Sequence, residues 1–336
     1  ALDSRLTSLE KKRGDGLAIL LPPSASCSRR LLLKRIKIRF PSIRIYEYAP
    51  LMMEDTGPTE RIFGRQCRTN LRLEKAKRIA CFDADLLGIH PTAIRNSREF
   101  ADSRNPDDSM SRLYSVESQF SVTGAAADHR LPLRSSQIPE LLGHIEALVS
   151  AKLGLQPVGA ISANLDERTS EFAMALADDL VEHRGESLVV VGPTQSGEVK
   201  DLALLLNDRL ENVGKTLQLL PRVNDLAPEP IESLVEAAKK RQLDTLVVVG
   251  GNPVYDAPGK LSFAEALKSI PATIRLGVYE DETSAACTWH APLAHDFESW
   301  SDVRGWDGTI CVAQPLIAPL LNGRSTIELL AKVAGD

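Results

Sequence analysis

The chain has 336 residues, of which 43% are hydrophobic, and its 40 basic and 45 acidic residues give a net charge of −5. This length exceeds one ordinary hydrophobic core, so we expect two α/β domains or two lobes of one α/β body. The interspersed charges disfavour binding to nucleic acid or an anionic membrane. The longest apolar runs fall short of the roughly 18 residues of a membrane span, and residues 1–16 lack a signal-peptide stretch, which predicts a soluble chain.

The first half alternates apolar runs with amphipathic stretches, a pattern typical of parallel α/β units. Strands are predicted at residues 17–23, 43–49, 78–84 and 112–118. A basic amphipathic helix is expected to end near Phe40, and Pro91 suits the start of another helix. Residues 139–153 place five aliphatic side chains on one helix face, and Gly154 is suited to end that helix.

The second half repeats this alternation after a linker-like stretch at 155–164. Helices are predicted at 165–183, 198–210, 231–242 and 263–270, and strands at 187–193, 216–221, 245–251 and 273–279. Residues 280–325 are rich in Trp, Pro and Gly without a sustained period, so we expect a long irregular excursion over the sheet edge before a final short helix. These patterns predict an α/β fold of two Rossmann-like lobes with mainly parallel sheets, at 1–155 and 156–336.

The cysteines provide no local metal or cluster motif. Cys27, Cys67, Cys81, Cys287 and Cys311 include no CxxC pair and no Cys/His group at ligand spacing, which argues against a locally built iron–sulfur or zinc site. Cys81 lies in an apolar run and is expected to be a small buried hydrophobe. No internal repeat at a short fixed period is visible, which disfavours a solenoid.

Two loops follow predicted buried strands, where open parallel sheets bind ligands, at residues 192–198 and 250–258. In the second loop, Gly250 and Gly251 would let a ligand approach the backbone, while Asn252 offers a donor and an acceptor and Pro253 fixes the exit direction. The spacing is neither GxGxxG nor a Walker loop. Two interpretations stay open, a turn that ends a strand and the edge of a nucleotide site.

Two compact groups of polar residues superficially resemble catalytic or metal clusters. The first comprises His290, His295, Asp281, Glu282, Asp296 and Glu298. A spacing of five between the histidines is poor for one helix face, so we interpret this group as hydrogen bonds within an irregular loop. The second group is Asp128, His129, Arg130 and Arg134, interpreted as Arg–Asp pairing in a buried loop because the chain lacks a GxSxG elbow.

Several segments together resemble one family. They are GGNPVYDAP (250–258), residues 276–309, AQPLIAPLLNGRS (313–325) and residues 110–134. These segments are similar to the molybdopterin-oxidoreductase-like subunit of alternative complex III, also described as the Tat-variant-translocated molybdopterin oxidoreductase family. The resemblance runs from about residue 16 to 331.

The resemblance implies a fold like the central domains of molybdopterin oxidoreductases, which bind a bis(guanine dinucleotide) cofactor between two α/β domains. Residues Gly250, Gly251, Asn252 and Pro253 match the superfamily element at a guanosine, and Asp281, Glu282 and Thr283 match its next contact loop. The chain departs from active members because it lacks a cysteine-rich cluster domain and a recognisable metal-ligand motif, and because it reads TWHAPLAH where they carry Ala-Asp-x-x-Leu-Pro. The implied reading is a cofactor fold without its cofactor, in which the seven matched residues are vestigial.

The expected function is therefore a non-catalytic scaffold portion of a quinol-oxidising membrane electron-transfer complex. By resemblance, its partners would be other subunits of a membrane respiratory complex and a cluster-bearing domain of the same polypeptide, with no nucleic acid and no direct membrane insertion. Iron–sulfur clusters would lie in that other domain, and the location would be periplasmic, with membrane association through partners.

Two alternatives remain open. One is an active molybdenum oxidoreductase that binds a molybdopterin guanine dinucleotide through the same loops, and the other is a free-standing nucleotide-binding protein. The scaffold hypothesis expects apolar and aromatic side chains such as Trp289, Trp300 and Trp306 to fill the former pocket, since burial contributes roughly 25 cal/mol per Å² of apolar area.

Overall fold

The chain divides into two compact units, one formed by residues 1–52 with 224–336 and the other by residues 53–223. The structure, a computed structural model, describes residues 2–51, 57–107, 110–159, 161, 164–222 and 226–336. The division predicted between residues 155 and 156 lies inside the second unit. Hydrophobic periodicity reports where strands occur but not which strands pair, so it could not show that the chain leaves the first sheet and returns to it.

Strands and helices alternate along most of the described ranges. The strands are β1 (Leu17–Leu21), β2 (Arg44–Glu47), β3 (Cys67–Leu71), β4 (Arg78–Phe82), β5 (Arg112–Glu117), β6 (His129–Pro132), β7 (Ser187–Val191), β8 (Leu217–Pro221), β9 (Glu229–Pro230), β10 (Thr245–Val249), β11 (Ala272–Gly277), β12 (Trp289–Pro292), β13 (Ser301–Arg304) and β14 (Ile310–Ala313). The helices are α1 (Leu2–Lys11), α2 (Cys27–Arg39), α3 (Gly57–Phe63), α4 (Ala93–Asp102), α5 (Val122–Ala126), α6 (Ile138–Lys152), α7 (Glu167–Glu182), α8 (Gly197–Arg209), α9 (Ile231–Lys239), α10 (Pro253–Asp256), α11 (Phe263–Lys268), α12 (Glu282–Ala286) and α13 (Thr326–Ala334). Short 3₁₀ helices occur at Leu73–Lys75, Ser135–Gln137, Gly259–Leu261 and Asp296–Glu298.

The first unit contains a six-stranded parallel sheet in the order β12-β11-β10-β1-β2-β9. Alternate side chains of β1 point to opposite faces, as the pleat requires. Leu17, Ile19 and Leu21 pack with residues of α1, α2 and α13, whereas Ala18 and Leu20 pack with residues of α9 and α11. Both faces of the sheet are therefore covered by helices, which explains the continuous apolar runs seen in the sequence.

The second unit contains a four-stranded parallel sheet in the order β6-β5-β4-β7 and a separate antiparallel pair of β3 and β8. Ala80 and Phe82 of β4 pack with α6, α7 and α8 on one face. Ile79 and Cys81 pack on the other face with a cluster that includes Phe100 of α4. The predicted fold class, α/β with Rossmann-like lobes and mainly parallel sheets, is confirmed.

The excursion at 280–325 is more regular than its sequence suggested. It contains α12, the parallel strand β12 at the edge of the first sheet, and the antiparallel hairpin of β13 and β14. These elements are four or five residues long, which is too short to produce a detectable period. In the parts of the chain that the structure describes, no helix combines the length and apolar character needed to cross a bilayer.

The two sheets share a four-strand arrangement. The order β12-β11-β10-β1 in the first unit corresponds to β6-β5-β4-β7 in the second. In both units, a strand is followed by a short helix and then by the edge strand, as β11–α12–β12 and β5–α5–β6. The correspondence is not visible as a sequence repeat at a short period, because β1 precedes β10 in the chain whereas β7 follows β6.

Candidate functional site

The loop after β10 changes direction through two glycines in left-handed backbone conformations. Gly250 has a φ of 62° and Gly251 a φ of 66°, values that side-chain-bearing residues rarely adopt. A Cβ on Gly250 would lie in ordinary contact with Pro22, 3.5 Å away, so conformation and not space requires glycine there. Asn252 follows at the carboxyl edge of the sheet, and Pro253 is the first residue of α10.

The Asn252 side chain joins this loop to the start of α12. Its Oδ1 accepts hydrogen bonds from Thr283 Oγ1 at 2.7 Å and from Thr283 N at 3.2 Å, and its Nδ2 donates to Glu282 Oε2 at 2.6 Å. The Thr283 hydroxyl oxygen accepts a further bond from Val254 N at 3.1 Å. The structure therefore brings together the two loops that the sequence pointed to, and they bind each other.

Arg275 lies beneath these loops, with 3% of its side chain exposed. Its guanidinium donates to the carbonyl oxygens of Gly250 and Gly251 and contacts Asp281 Oδ2 at 2.8 Å. A Cβ at position 277 would lie 3.0 Å from the guanidinium carbon, so Gly277 provides space for this side chain. Sequence reasoning missed Arg275, although a cation inside an apolar strand run is a signal because buried charges need partners.

Asp281 is a helix cap and an ion-pair partner. Its Oδ1 accepts from Ser284 N at 2.8 Å, and Ser284 Oγ lies 2.9 Å from His290 Nδ1. Burial raises the pKa of Asp281, but the Arg275 ion pair and the Ser284 N–H outweigh burial and hold it below its ordinary value. The side chains that the sequence assigned to a ligand are thus engaged in stabilising the loop.

A second feature of this sheet edge is the start of α2. Strands β1 and β10 are neighbours, and the chain continues from β1 to β2 on one side and from β10 to β11 on the other. This is the topological switch point at which open α/β sheets bind ligands. The amino end of α2, with N-cap Ser26, follows β1 at this position.

The Asp302 carboxylate occupies the amino end of α2. Its Oδ2 accepts from Cys27 N at 2.7 Å and from Ser28 N at 3.2 Å, and its Oδ1 accepts from Ser26 Oγ at 2.7 Å. Burial raises the pKa of Asp302, yet these hydrogen bonds lower it below its ordinary value. A helix start is where an anionic ligand group would bind, and here the protein supplies its own anion from β13.

Two of the three tryptophans expected to fill the former pocket are largely exposed. Trp289 is 55% exposed and Trp300 61% exposed, and Trp306 is half-buried. The expectation was wrong for Trp289 and Trp300 because the contacts at the switch point are polar. The groups at the switch point are the Asp302 carboxylate, which accepts hydrogen bonds from N–H groups of α2, and the Asn252 amide, which bonds to residues of α12.

The second unit repeats the Asn252 arrangement with Asp85 and Thr123. Asp85 Oδ1 accepts from Thr123 Oγ1 at 2.7 Å and from Thr123 N at 3.1 Å, and Thr123 Oγ1 accepts from Leu87 N at 3.0 Å. Asp83 lies two residues before Asp85 and has a left-handed φ of 48°. Gly250, which also has a left-handed φ, stands in the same position relative to Asn252. Sequence reasoning singled out neither Asp85 nor Thr123. The available signal was the similarity of residues 121–132 to residues 281–292.

The polar groups flagged in the sequence form structural hydrogen bonds and ion pairs. Asp128 pairs with Arg104 at 2.7 Å, whereas Arg130 pairs with Glu117 at 2.6 Å, so the predicted Arg–Asp pairing involves a different arginine. His295 Nδ1 accepts from Phe297 N at 3.2 Å and caps a 3₁₀ turn.

Within the described ranges, the group of side chains that could hold a metal ion is Asp179, Glu182 and His183. The Asp179 carboxylate accepts from Arg78 Nε and Tyr114 Oη, each at 2.6 Å. A further guanidinium, that of Arg112, lies 2.9 Å from Asp179. Two cations therefore face the position that a metal ion would need, and we interpret this group as a structural network.

Comparisons with solved structures show what this fold is similar to. Acetylene hydratase from Pelobacter acetylenicus matches with a TM-score of 0.67 and 11% identity, over 99% of this chain and 57% of that chain. The formyltransferase/hydrolase complex from Methylorubrum extorquens, solved with methylofuran, matches with a TM-score of 0.60 and 12% identity, over 100% of this chain and 95% of that chain. This chain thus spans little more than half of the acetylene hydratase chain. Neither a protein-family model nor a curated protein sequence matches it.

These findings correct the family assignment. Membership in the alternative complex III subunit family was wrong, since the similar structures are acetylene hydratase and a chain of the formyltransferase/hydrolase complex. The iron–sulfur and periplasmic expectations depended on that membership and have no other support. At 11–12% identity, what is shared is the fold.

Proposed function

We propose that this chain is a non-catalytic scaffold with an oxidoreductase-like α/β fold, in which the loops placed for a nucleotide bind each other. The observation that carries the proposal is the Asn252 amide. Its acceptor is occupied by Thr283 and its donor by Glu282, so the side chain holds α10 and α12 together. A ligand that used Asn252 would have to break these bonds and replace them.

The residues do not fit the phosphates of a guanine dinucleotide at the switch point. The helix N–H groups that would receive a phosphate donate to Asp302, and the pKa of this carboxyl is held below its ordinary value, so it is ionised at neutral pH. A pyrophosphate brought to the same N–H groups would displace this carboxylate or lie against its charge. The hypothesis of an active molybdenum oxidoreductase is therefore less favoured, and we assign no catalytic step to the chain.

A scaffold acts by binding other polypeptides, and one similar chain belongs to a complex of formyltransferase and hydrolase. That likeness supports a place in an assembly with other protein subunits. The partners would be proteins and not nucleic acid or a membrane, consistent with the net charge of −5.

Titration of the purified protein with GMP and GDP tests the proposal. We expect no binding heat by calorimetry and an unchanged Tm, because a ligand that binds the native state stabilises it by RT ln(1 + [L]/Kd). Without ligand, Asn252→Ala should lower the free energy of unfolding by about 1–3 kcal/mol, since the buried Thr283 loses the acceptor of its hydroxyl and its N–H.

Thr283→Ser is the matched control, because serine keeps the hydroxyl that bonds to Asn252. It should retain most of the wild-type stability. Saturable GMP or GDP binding that disappears in Asn252→Ala would overturn the scaffold proposal. Stoichiometric molybdenum with released GMP in the purified full-length protein would do the same.

A further inference from the structure

The stretch 297–321 carries a concentrated set of exposed apolar side chains, which we call the β14 surface. Its members are between 48% and 76% exposed and comprise Phe297, Trp300, Val303, Ile310, Val312, Leu316, Ile317, Leu320 and Leu321. Ile310 and Val312 lie on one face of the β13–β14 hairpin, and Val303 lies on the other. Hydrogen bonds from backbone N–H groups hold the stretch in place, since Leu316 N donates to the carbonyl oxygen of Phe297 at 2.8 Å and Leu320 N donates to the side-chain oxygen Oε1 of Glu298 at 3.0 Å. Single exposed hydrophobic residues are ordinary, but a grouped set of this size marks an interaction surface.

Strand β14 has an unpaired edge. It forms a two-stranded antiparallel sheet with β13, and no other described strand joins that sheet. All four residues of β14 are exposed, and residues 310–321 contain no charged side chain. Native proteins usually protect such an edge with charge, proline or a covering element, because it offers free N–H and C=O groups to another strand.

The hydrogen-bond register shows which backbone groups point outward. Gly305 N donates to Thr309 O at 2.7 Å, which places positions 305 and 309 in a hydrogen-bonded pair. The alternation of an antiparallel ladder then makes Val303 and Cys311 hydrogen-bonded as well. The backbone groups of Ile310 and Val312 therefore face away from β13, towards the open edge.

We propose that a second copy of this chain covers the β14 surface by antiparallel pairing of β14 with β14. A two-fold axis through Cys311 would set Ile310 opposite Val312 of the other copy, with both main-chain bonds formed by the outward groups. Apolar side chains then meet apolar side chains, and no like charges oppose each other. Such an isologous contact closes as a dimer and does not continue into a fibre.

The exposed apolar area is comparable with the area that a dimer interface needs. An aromatic side chain covers roughly 150–250 Å² and an aliphatic one somewhat less, so the exposed fractions of the β14 surface together amount to on the order of 1,000 Å². Each partner of a standard protein interface buries about 800 Å². The inference does not depend on the scaffold proposal, since self-association requires no statement about ligand binding.

Light scattering coupled to size-exclusion chromatography tests the proposal on the whole chain. The wild-type protein should be a dimer, and Val312→Lys should be a monomer because it places a charge at the paired edge. Ile94→Lys is the matched control, since Ile94 is 92% exposed on α4 of the second unit. It should remain dimeric, and unchanged Tm values for both variants would exclude unfolding as the cause.

Cys311 reports the register directly. At a non-hydrogen-bonded antiparallel pair the two Cα atoms lie about 4.5 Å apart, which is within the range that a disulfide spans. Copper phenanthroline with dissolved oxygen, which removes two electrons and two protons from the thiol pair, should give a covalent dimer that Cys311→Ser abolishes. Cys311→Ser should still be dimeric by light scattering. A monomeric wild type, or a dimer that survives Val312→Lys and lacks the Cys311 cross-link, would overturn the proposal.

Discussion

The two units build the same loop-to-helix connection with different charges. In the first unit, the neutral Asn252 bonds to Thr283, and in the second the carboxyl of Asp85 bonds to Thr123. The distances from the acceptor oxygen to the threonine hydroxyl are 2.7 Å in both. A geometry that recurs with a different side chain is a requirement of the fold, so neither copy alone indicates a ligand.

The ion pairs around the two connections differ more than the connections do. In the first unit, Arg275 rises from within β11 to the loop carbonyls and pairs with Asp281. In the second unit, the charged residue on the strand is an acid, Glu117 of β5. Its carboxylate pairs with Arg130 and also accepts a hydrogen bond from Ser121 Oγ at 2.5 Å. The cation beneath the loop is specific to the first unit and is more completely buried.

The largest expected effect comes from removing that cation. Arg275→Met should reduce the free energy of unfolding by about 3–5 kcal/mol, because the variant removes a buried ion-pair partner of Asp281 and the hydrogen bonds to the carbonyl oxygens of Gly250 and Gly251. Arg130→Met, the matched change in the second unit, should cost about 1–2 kcal/mol, since 26% of the Arg130 side chain is exposed against 3% of the Arg275 side chain. Urea unfolding of both variants measures the difference, and equal losses would contradict the distinction drawn between the two pairs.

The threonines come next, and here the two units should behave alike. Thr123 and Thr283 are fully buried. The Thr123 hydroxyl accepts a hydrogen bond from Leu87 N, and the Thr283 hydroxyl accepts one from Val254 N. Replacement by valine keeps the shape, leaves that N–H without a partner and removes one hydrogen bond to the Asx oxygen, which still accepts from the backbone N–H of the substituted residue. Thr283→Val and Thr123→Val should each cost about 1–3 kcal/mol. Unequal losses, with one variant near wild type, would show that the two connections are not equivalent.

The sequence predicted the strands that are buried on both faces and missed elements without a clear hydrophobic period. The buried strands β1, β4, β7 and β10 were predicted because helices cover both of their faces and produce continuous apolar runs. The helix α1 and the strand β3 were missed. The pairing of β9 with β2 was also beyond prediction, since a two-residue strand has no period.

Within the candidate site, the sequence predicted only the parts that have a local pattern. The Gly250–Gly251–Asn252 loop has its own local signature, and in the structure its Asn252 side chain accepts a hydrogen bond from Thr283. Asp302 could not be found in this way. It reaches the start of α2 from a strand more than two hundred residues later, and contacts at such separations are set by tertiary packing and not by local pattern.

The start of α2 offers a third comparison, with a smaller effect. Asp302→Ala should reduce the free energy of unfolding by about 1–2 kcal/mol, since the N–H groups of Cys27 and Ser28 lose a charged acceptor. In the second unit, α8 begins after Ser196, whose side chain makes no capping bond. Ser196→Ala should therefore change the stability by less than about 0.5 kcal/mol.

The loss in Asp302→Ala should depend on pH with a defined sign. The pKa of Asp302 is lowered in the folded chain, so its stabilisation is complete above the ordinary carboxyl pKa and disappears as the pH falls through the folded value. Wild type and Asp302→Ala should thus converge in stability at strongly acidic pH. A difference that is constant between neutral and acidic pH would mean that the carboxylate charge does not act at the helix start.

The smallest effect is expected from exchanging the two Asx residues. In Asp85→Asn, the single oxygen that accepts from Thr123 and Gly88 is retained, so stability at neutral pH should stay within about 0.5 kcal/mol of wild type. In Asn252→Asp, the donor to Glu282 Oε2 is replaced by a carboxylate oxygen, and two like charges meet. Repulsion raises the pKa of this carboxyl pair in the folded state, so the variant should be destabilised at neutral pH and should recover as acid protonates one partner. Urea unfolding at pH 7 and at pH 4 separates the variants. A pH-independent stability of Asn252→Asp would show that Glu282 moves away from the introduced carboxylate.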